Sequence, residues 1–374
     1  MIGGGIYALL GKIIGEVGVF TPLSLLLAGA VALVSAFSFA ELSRRFPVSA
    51  GEAAYVHAAF DWQWLSTLVG FLVVLTGVVS AATLCAATGG FLLDITALPV
   101  TGLIILTALV LTAIAAWGVT QSVLVVAVIT LLEAGTLLVI ILFSADRMPQ
   151  IPSLAADMAS QWDQFETGAL VSAAFLAFYA FVGFEDMVNM AEEVRDAERT
   201  MPLAIFIAVA ITMTLYLGVA VAAITMENRE ALVAAHTPLA LLLPGGQSAA
   251  LLIGVISILA GLNGALVQMV MAARVLYGMG RRGMVPRVLG QVNAHTRTPL
   301  LATFLVGLVV LSLAAIFSLA GLAQATSFII LGVFALVNLS LAVIRWRERA
   351  GLPWLSSIAA ASCVVMMVLR LLQL

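Results

Sequence analysis

Two apolar stretches of this sequence carry residue patterns that could bind a ligand through the protein backbone. The first contains Gly3, Gly4 and Gly5, and the second runs from Phe178 to Glu185 and contains Gly183. Irregular backbone at membrane depth is tolerated only where it faces protein or a watery cavity. A pair of glycine-interrupted apolar segments in corresponding halves of a chain therefore predicts the binding site of a transporter.

The chemistry of such interruptions follows from the ends of helices. A broken helix offers free N–H groups at the start of one half and free carbonyl groups at the end of the other. Glycine allows a ligand to approach this backbone without a side chain in the way. The alternative is that Gly3, Gly4 and Gly5 only permit close helix packing. That the two interruptions occur as a pair favours binding.

Carboxylates inside apolar segments are the second set of candidate functional residues. Glu133 lies in the middle of Thr130–Gly135, and Glu185 and Asp186 follow the second interruption. A carboxylate inside a span costs about 2.5–3.5 kcal/mol on insertion scales and is a functional candidate by default. For Glu133 the alternative is a neutral carboxyl group hydrogen-bonded to a neighbouring helix. For Glu185 and Asp186 it is a solvated carboxylate, which we favour for Asp186.

The elements that position these residues are membrane-spanning helices. The 374 residues are 63% hydrophobic and 9% charged, whereas a soluble domain is about 25% charged. The mean hydropathy is +1.19. Cys85 and Cys363 lie in apolar runs and imply no disulfide framework. The histidines (His57, His236 and His295) have no metal-ligand spacing, so no metal site is expected.

Hydropathy predicts eleven spans and an orientation for them. Twelve of the sixteen basic residues fall on one side when the spans alternate, which predicts that this side is cytoplasmic. The loop 145–166, on the other side, is acidic. The predicted spans are 1–15, 22–40, 65–93, 99–117, 122–143, 167–190, 202–226, 249–279, 300–319, 323–344 and 354–372.

The second interrupted segment begins five spans after the first, which predicts an internal repeat. Because five is odd, a five-span repeat returns with inverted orientation, as in inverted-repeat transporters. The single membrane domain, 1–374, then consists of a first repeat at 1–144, a second at 167–344 and a peripheral helix at 354–372. The first repeat starts at the interruption, so we expect a truncation or misassigned start of about 15–40 residues, a range set by the resemblance described next.

Four motifs in order resemble the amino acid–polyamine–organocation (APC) permeases, and the resemblance covers nearly the whole chain. The glycine triplet and the second interruption belong to two of these motifs. The motifs are Gly3-Gly4-Gly5-Ile6-Tyr7; Phe39-Ala40-Glu41-Leu42 with Pro47-Val48-Ser49-Ala50-Gly51-Glu52 and Tyr55; Phe178 to Glu185 with Ala191-Glu192-Glu193-Val194 and Met201-Pro202; and Asn263-Gly264 with Ala273 to Met279, Gly283-Met284-Val285-Pro286 and Thr298-Pro299.

The resemblance implies an all-α integral membrane protein of the leucine-transporter type, with a five-plus-five inverted repeat and about eleven transmembrane helices. It implies a substrate site between the first interruption and the second. In that site Gly4 and Gly5 would bind the substrate carboxylate, and the carbonyls of Tyr179 and Val182 its ammonium. The implied substrate-binding residues are Gly3, Gly4, Gly5, Tyr179, Ala180, Phe181, Val182 and Gly183.

The resemblance also suggests gates and ion coupling. Tyr179 and Phe184 would form a gate, although Phe184 could equally be a core or lipid-facing aromatic. Relatives often carry an acid at the position of Glu185, which suggests a proton-linked role. Where sodium-independent relatives often have a lysine, this chain has Glu133, which we expect to carry or sense a coupling proton. A sodium site stays open, and no cofactor is expected.

We therefore predict a secondary active transporter of amino acids in the cytoplasmic membrane, a multi-pass protein that works by alternating access and is proton-coupled. The alternatives are an amino acid exchanger and a relative that binds an amino acid without moving it. An enzyme is disfavoured because no histidine lies inside a span. The expected partners are an amino acid and the lipid bilayer, with no nucleic acid. The lining favours neutral substrates, but Glu133 or Glu185 could hold a cationic side chain.

Overall fold

A computed structural model describes residues 1–48, 51–96, 98–118, 123–162, 167–349 and 353–373, and these contain helices but no strand. Fourteen α-helices follow one another, joined by turns and short 3-10 segments. They are α1 (Gly4–Val17), α2 (Thr21–Arg45), α3 (Gly51–Phe60), α4 (Gln63–Leu93), α5 (Val100–Trp117), α6 (Val123–Phe143), α7 (Ile151–Gln161), α8 (Thr167–Phe181), α9 (Ala197–Ile224), α10 (Arg229–Ala234), α11 (Gly246–Arg281), α12 (Leu300–Ile316), α13 (Leu319–Glu348) and α14 (Pro353–Leu371).

Local residue chemistry sets many of the helix ends. Pro99 and Pro299 stand immediately before α5 and α12, where proline's fixed φ and missing N–H cost nothing. The side chain of Ser318 accepts the N–H of Gly321 at 3.2 Å and so caps α13. Gly118 ends α5 in the left-handed region, with φ +83°.

The eleven predicted spans correspond to eleven of these helices, which confirms an all-α membrane fold. Among the described residues, nine segments are long and apolar enough to cross a membrane. One of them, Gly4–Arg45, contains two predicted spans because only the 3-10 turn Gly18–Phe20 separates α1 from α2. The shorter apolar helix α12 accounts for the eleventh.

Four of the five helix pairs that the predicted repeat relates pack against each other. α1 packs on α8, α2 on α9, α4 on α11 and α5 on α12. These helices correspond to predicted spans one and six, two and seven, three and eight, and four and nine. The interfaces contain small residues such as Gly77, whose neighbours are Ala272 and Gln268 of α11, as expected where membrane helices approach closely.

Contacts between helix ends agree with the predicted sides of the membrane. At the predicted cytoplasmic side, Arg45 at the end of α2 pairs with Glu348 at the end of α13 (N–O distance 2.7 Å) and with Glu41 (2.8 Å). At the opposite side, the Asp94 carboxylate after α4 accepts a hydrogen bond from the Thr237 hydroxyl, at 2.8 Å. Loops placed on one side by hydropathy therefore meet in space.

Candidate functional site

Both predicted interruptions are helix ends. Gly3 is extended (φ −177°, ψ −165°) and precedes the first turn of α1, which begins at Gly4. α8 ends at Phe181, and Gly183 then adopts φ +124°, a conformation that side chains rarely permit. The first N–H groups of α1 and the last carbonyl groups of α8 lie at these ends, where a helix supplies them with no partner of its own.

The two helix ends touch, and glycine makes the contact possible. A Cβ atom added at Gly5 would lie 3.2 Å from the Cα of Ala180 and 3.4 Å from the Tyr179 ring. One added at Gly183 would lie 3.0 Å from the backbone nitrogen of Met1. The start of α1 and the end of α8 therefore form one continuous backbone surface.

The glycine triplet divides into residues that pack and one that does not. A Cβ at Gly4 would meet Leu84 of α4 at 2.8 Å and the Gly261 backbone of α11 at 3.1 Å. Around Gly3, by contrast, no heavy atom of the described residues, apart from its chain neighbours, lies within 4 Å of an added Cβ. Close packing therefore explains the need for glycine at Gly4 and Gly5, whereas Gly3 borders open space.

The Tyr179 side chain crosses from α8 to α4. Its hydroxyl lies 3.3 Å from the Ser80 hydroxyl and 3.2 Å from the Ser80 carbonyl oxygen, and the residue is buried. The backbone carbonyl oxygen of Tyr179 accepts the N–H of Val182 at 3.1 Å. One of the two lone pairs of this oxygen, which was expected to bind an ammonium, is therefore already engaged. Ser80 was not among the residues predicted from sequence, where it is one of several hydroxyl residues in an apolar span.

The aromatic residues after Tyr179 lie in the core. Phe181 packs edge-on against Tyr216, with ring centroids 5.3 Å apart. Phe184 is fully buried between Phe39 (5.4 Å) and Phe334 (5.1 Å). The structure thus places Phe184 in an aromatic cluster, next to the interruption, and its gating role stays a prediction.

The two acids after the interruption have specific partners. The Glu185 carboxylate accepts the N–H of Gly183 at 2.8 Å, so it closes the turn that ends α8. The Asp186 carboxylate accepts a hydrogen bond from the Gln268 side chain of α11 at 2.6 Å. Both acids lie in or beside the 3-10 helix Glu185–Glu193, which continues the broken segment. Asp186 is half-buried and hydrogen-bonded to a neighbouring helix, and its interpretation as a solvated carboxylate stays a prediction.

A third carboxylate approaches the same segment from the loop between the second and third spans. Glu52 of α3 is buried and accepts a hydrogen bond from the Asn189 side chain at 3.3 Å. Burial raises the pKa of Glu52 to about 8, and the nearby Asp186 carboxylate adds to the rise. Glu52 belongs to a motif quoted above, but its motif position gave no indication of this contact.

Glu133 differs from Glu185 and Asp186 because its carboxylate accepts no hydrogen bond from the residues that the structure describes. The residue is 1% exposed, and neither carboxylate oxygen has a hydrogen-bond donor among the described residues. Its backbone carbonyl accepts the Tyr7 hydroxyl at 2.8 Å, which joins α6 to α1 one turn after the glycine triplet. A buried carboxyl group without a partner is costly when charged and is suited to taking up a proton.

Within the described part of the chain, no group of three histidine, cysteine or acidic residues could hold a metal ion. Cys85 and Cys363 are buried and free. What the arrangement offers chemically is therefore a backbone surface at two helix ends, with hydroxyl groups and one unpaired carboxyl group nearby.

Comparisons with known proteins identify the chain's relatives. The sequence profile of the family described as "Amino acid permease" matches residues 1–372. An uncharacterized transporter of Mycobacterium tuberculosis is 31% identical over 98% of this chain and 82% of the relative. The branched-chain amino acid permease BcaP of Bacillus subtilis is 25% identical over 97% of this chain and 83% of the permease.

A plant protein extends the range of relatives. The mitochondrial cationic amino acid transporter 3 of Arabidopsis thaliana is 26% identical over 92% of this chain. The chain spans 60% of the length of that protein. With its apolar helices, the similarity to permeases marks a multi-pass membrane protein.

Proposed function

The chain belongs to the amino acid permease family of the APC superfamily, and on that premise we propose that it moves amino acids across the cell membrane by alternating access. The observation that carries this proposal is the contact between the start of α1 and the end of α8, at Gly5 and Ala180. Two helix ends that meet inside an apolar bundle supply opposite partial charges at one place.

The proposed site binds the two charged groups of an amino acid through the backbone. The first N–H groups of α1, from Gly3 to Gly5, hold the carboxylate, because the start of a helix attracts anions. The carbonyl groups at the end of α8, including that of Val182, hold the ammonium. The open space beside Gly3 supports this arrangement, since a substrate needs room next to those N–H groups.

The inverted repeat is part of the proposal. Four pairs of helices pack against each other at a separation of five spans, α1 with α8 being the first. A pseudo-twofold axis between two halves brings corresponding helices together in this way. The pairing supports repeats at 1–144 and 167–344, which would rock against each other around the site.

We propose that transport is coupled to protons and that Glu133 carries the coupling proton. Its carboxyl group is buried and unpaired, and its backbone is bonded to Tyr7 of α1. Protonation would remove the cost of the buried charge. The protonated and the ionised protein would therefore favour different helix contacts. An exchanger, sodium coupling and a non-transporting sensor are the alternatives. The lack of a hydrogen-bond partner for the Glu133 carboxylate among the described residues favours the proton.

A neutral amino acid is the substrate class that we favour. The side chains nearest to the glycine triplet are those of Leu84 and Tyr179, and Glu185 is engaged by the Gly183 N–H. Relatives are named for both cationic and branched-chain amino acids. A competition panel of unlabelled amino acids against labelled leucine would separate the two classes.

The test exploits the difference between the glycines of the triplet. The Cβ of Gly3→Leu enters open space, so the protein should fold and lose uptake of labelled leucine and lysine by tenfold or more. The matched control is Gly278→Leu, because Gly278 in α11 also has no heavy atom within 4 Å of an added Cβ. Normal uptake by a folded Gly3→Leu variant would overturn the proposed site.

Proteoliposomes separate the modes of transport. Uptake into vesicles without internal substrate, driven by an inward proton gradient, supports the symporter. Uptake that requires internal amino acid identifies an exchanger instead. Binding of a labelled amino acid with no flux in either condition would identify the non-transporting alternative.

A further inference from the structure

A groove on the outer surface of the bundle, between α13 and α14, has no role in the proposed transport site. It measures about 620 Å³, and its walls include Leu339 and Val343 of α13 and Ile358 of α14. The described lining is apolar apart from Ser357. A surface of this kind inside a membrane faces lipid chains.

Two tryptophans mark one end of the groove. Trp346 and Trp354 both line it, and they are 76% and 55% exposed. Exposed tryptophans in membrane proteins concentrate at the headgroup level of the bilayer. This end is the predicted cytoplasmic one, because it adjoins the basic end of α13.

Unpaired positive charge lies at the same end. Arg45 forms an ion pair with Glu348, and Arg345 forms one with Glu41. Arg347 and Arg349 form no ion pair within the described ranges, and both are exposed. Helical spacing places Arg347 on the groove face of α13, since it follows Val343 by four residues. Arg349 stands at the end of α13, where the backbone turns into the left-handed region (φ +52°).

We propose that this groove binds an anionic phospholipid of the cytoplasmic leaflet. Its phosphate lies against Arg347 and Arg349, and the upper part of an acyl chain lies against Leu339, Val343 and Ile358. Leu339 to Trp346 extends over about 10 Å of helix, enough for that part of a chain. Basic pockets between helices on the cytoplasmic side bind anionic headgroups, and the inference is independent of the transported substrate.

Native mass spectrometry of the purified full chain tests the proposal, with phosphatidylglycerol and phosphatidylcholine as probes. The wild-type protein should retain phosphatidylglycerol in preference to phosphatidylcholine. The double variant Arg347→Gln/Arg349→Gln should bind phosphatidylglycerol roughly 10- to 30-fold more weakly, because each basic residue near an anionic lipid contributes about a factor of five. The matched control is Arg281→Gln/Arg282→Gln, an exposed pair on the same predicted side, which should bind as the wild type does.

A second variant tests the groove itself. Val343→Trp fills it and leaves both arginines in place, so it should lose the retained lipid while keeping its melting temperature. Equal retention of both lipids, or full displacement by millimolar inorganic phosphate, would overturn the assignment. So would unchanged lipid binding by Val343→Trp, or a lipid-free dimer that occupies this face.

Discussion

At the scale of single residues, the buried carboxylates of this protein differ in what they contact. Glu185 accepts the N–H of Gly183, and Asp186 accepts a hydrogen bond from Gln268. Glu133 has no side-chain partner among the described residues. A group that is held by a hydrogen bond suits a structural role, and an unpaired one suits a change of protonation. The first prediction rests on this difference.

Glu133→Gln should abolish accumulation driven by a proton gradient while leaving exchange of internal for external amino acid within about twofold. The amide keeps the shape of the neutral carboxyl group but cannot release a proton. The measurement is uptake of labelled leucine into proteoliposomes with and without a pH gradient. Glu185→Gln is the matched comparison, because its amide oxygen can still accept the Gly183 N–H. Full gradient-driven uptake by Glu133→Gln would contradict the proton role of Glu133. Loss of gradient-driven uptake in Glu185→Gln would assign that role to Glu185.

The second prediction concerns the pH dependence of stability and rests on Glu52. Burial raises its pKa from 4.5 to about 8 in the folded protein. Between these values the folded state keeps a proton that the unfolded state has lost, so the contribution of Glu52 to stability is full below pH 4.5 and disappears as pH rises through 8. The loss is on the order of a few kcal/mol, at about 1.4 kcal/mol per pKa unit.

Glu52→Gln should therefore flatten the decline of the melting temperature between pH 4.5 and pH 8. Thermal melts of both proteins in one detergent at several pH values give the comparison. Glu230→Gln, at an exposed position in α10, should leave the profile unchanged. Parallel melting profiles for Glu52→Gln and the wild type would show that Glu52 is ionised throughout.

Sequence identified which acids lie inside apolar segments but not what they touch. Glu133 and Glu185 stood out because a charge in a span is rare. The Glu52–Asn189 contact joins residues 137 positions apart, and the Asp186–Gln268 contact joins residues 82 apart. Such pairs depend on which helices become neighbours, and the hydropathy of one helix carries no information about its neighbour.

At the scale of elements, the interruptions were predictable and the short helices were not. Glycines marked the start of α1. Gly183 and the change from apolar to acidic residues marked the end of α8. α3 and α7 lie in segments interpreted as loops, because 10 or 11 residues are too short to stand out in a search for spans. The 3-10 turn between α1 and α2 lies in the gap between the predicted spans 1–15 and 22–40, although its residues are as apolar as the helices beside it.

The third prediction tests the end of α8. Gly183→Ala should destabilise the protein by about 1–3 kcal/mol, because Gly183 has φ +124° and an alanine there is strained. The added Cβ would also press on Met1 at 3.0 Å. Gly278→Ala is the control, and it should be neutral or stabilising, because alanine favours a helix interior by up to about 1 kcal/mol.

Thermal melting and leucine uptake measured on the same samples give the result. A lower melting temperature together with reduced uptake for Gly183→Ala is expected. A melting temperature equal to that of Gly278→Ala would mean that the segment after Phe181 adapts to a side chain, and that its conformation is not fixed by Gly183.

At the scale of the whole molecule, charge predicted the sides of the membrane and helix pairing now supports the repeat. The ion pair that joins Arg45 of α2 to Glu348 of α13 connects segments that the basic residues had placed on one side. The pairing of α2 with α9, and of α4 with α11, was not predictable from sequence, because similarity between the two halves is weak.

An inverted repeat makes a demand on topology that can be measured. α2 and α9 are the second and seventh spans, so their ends must face opposite sides of the membrane. His57 follows α2 and Glu227 follows α9, and both are exposed. In intact cells a membrane-impermeant maleimide should label Glu227→Cys, and His57→Cys only after permeabilisation. The unmodified chain provides the background, since Cys85 and Cys363 are buried and should label slowly. Labelling of both variants from the same side would require an even number of spans between them and would exclude a five-span inverted repeat.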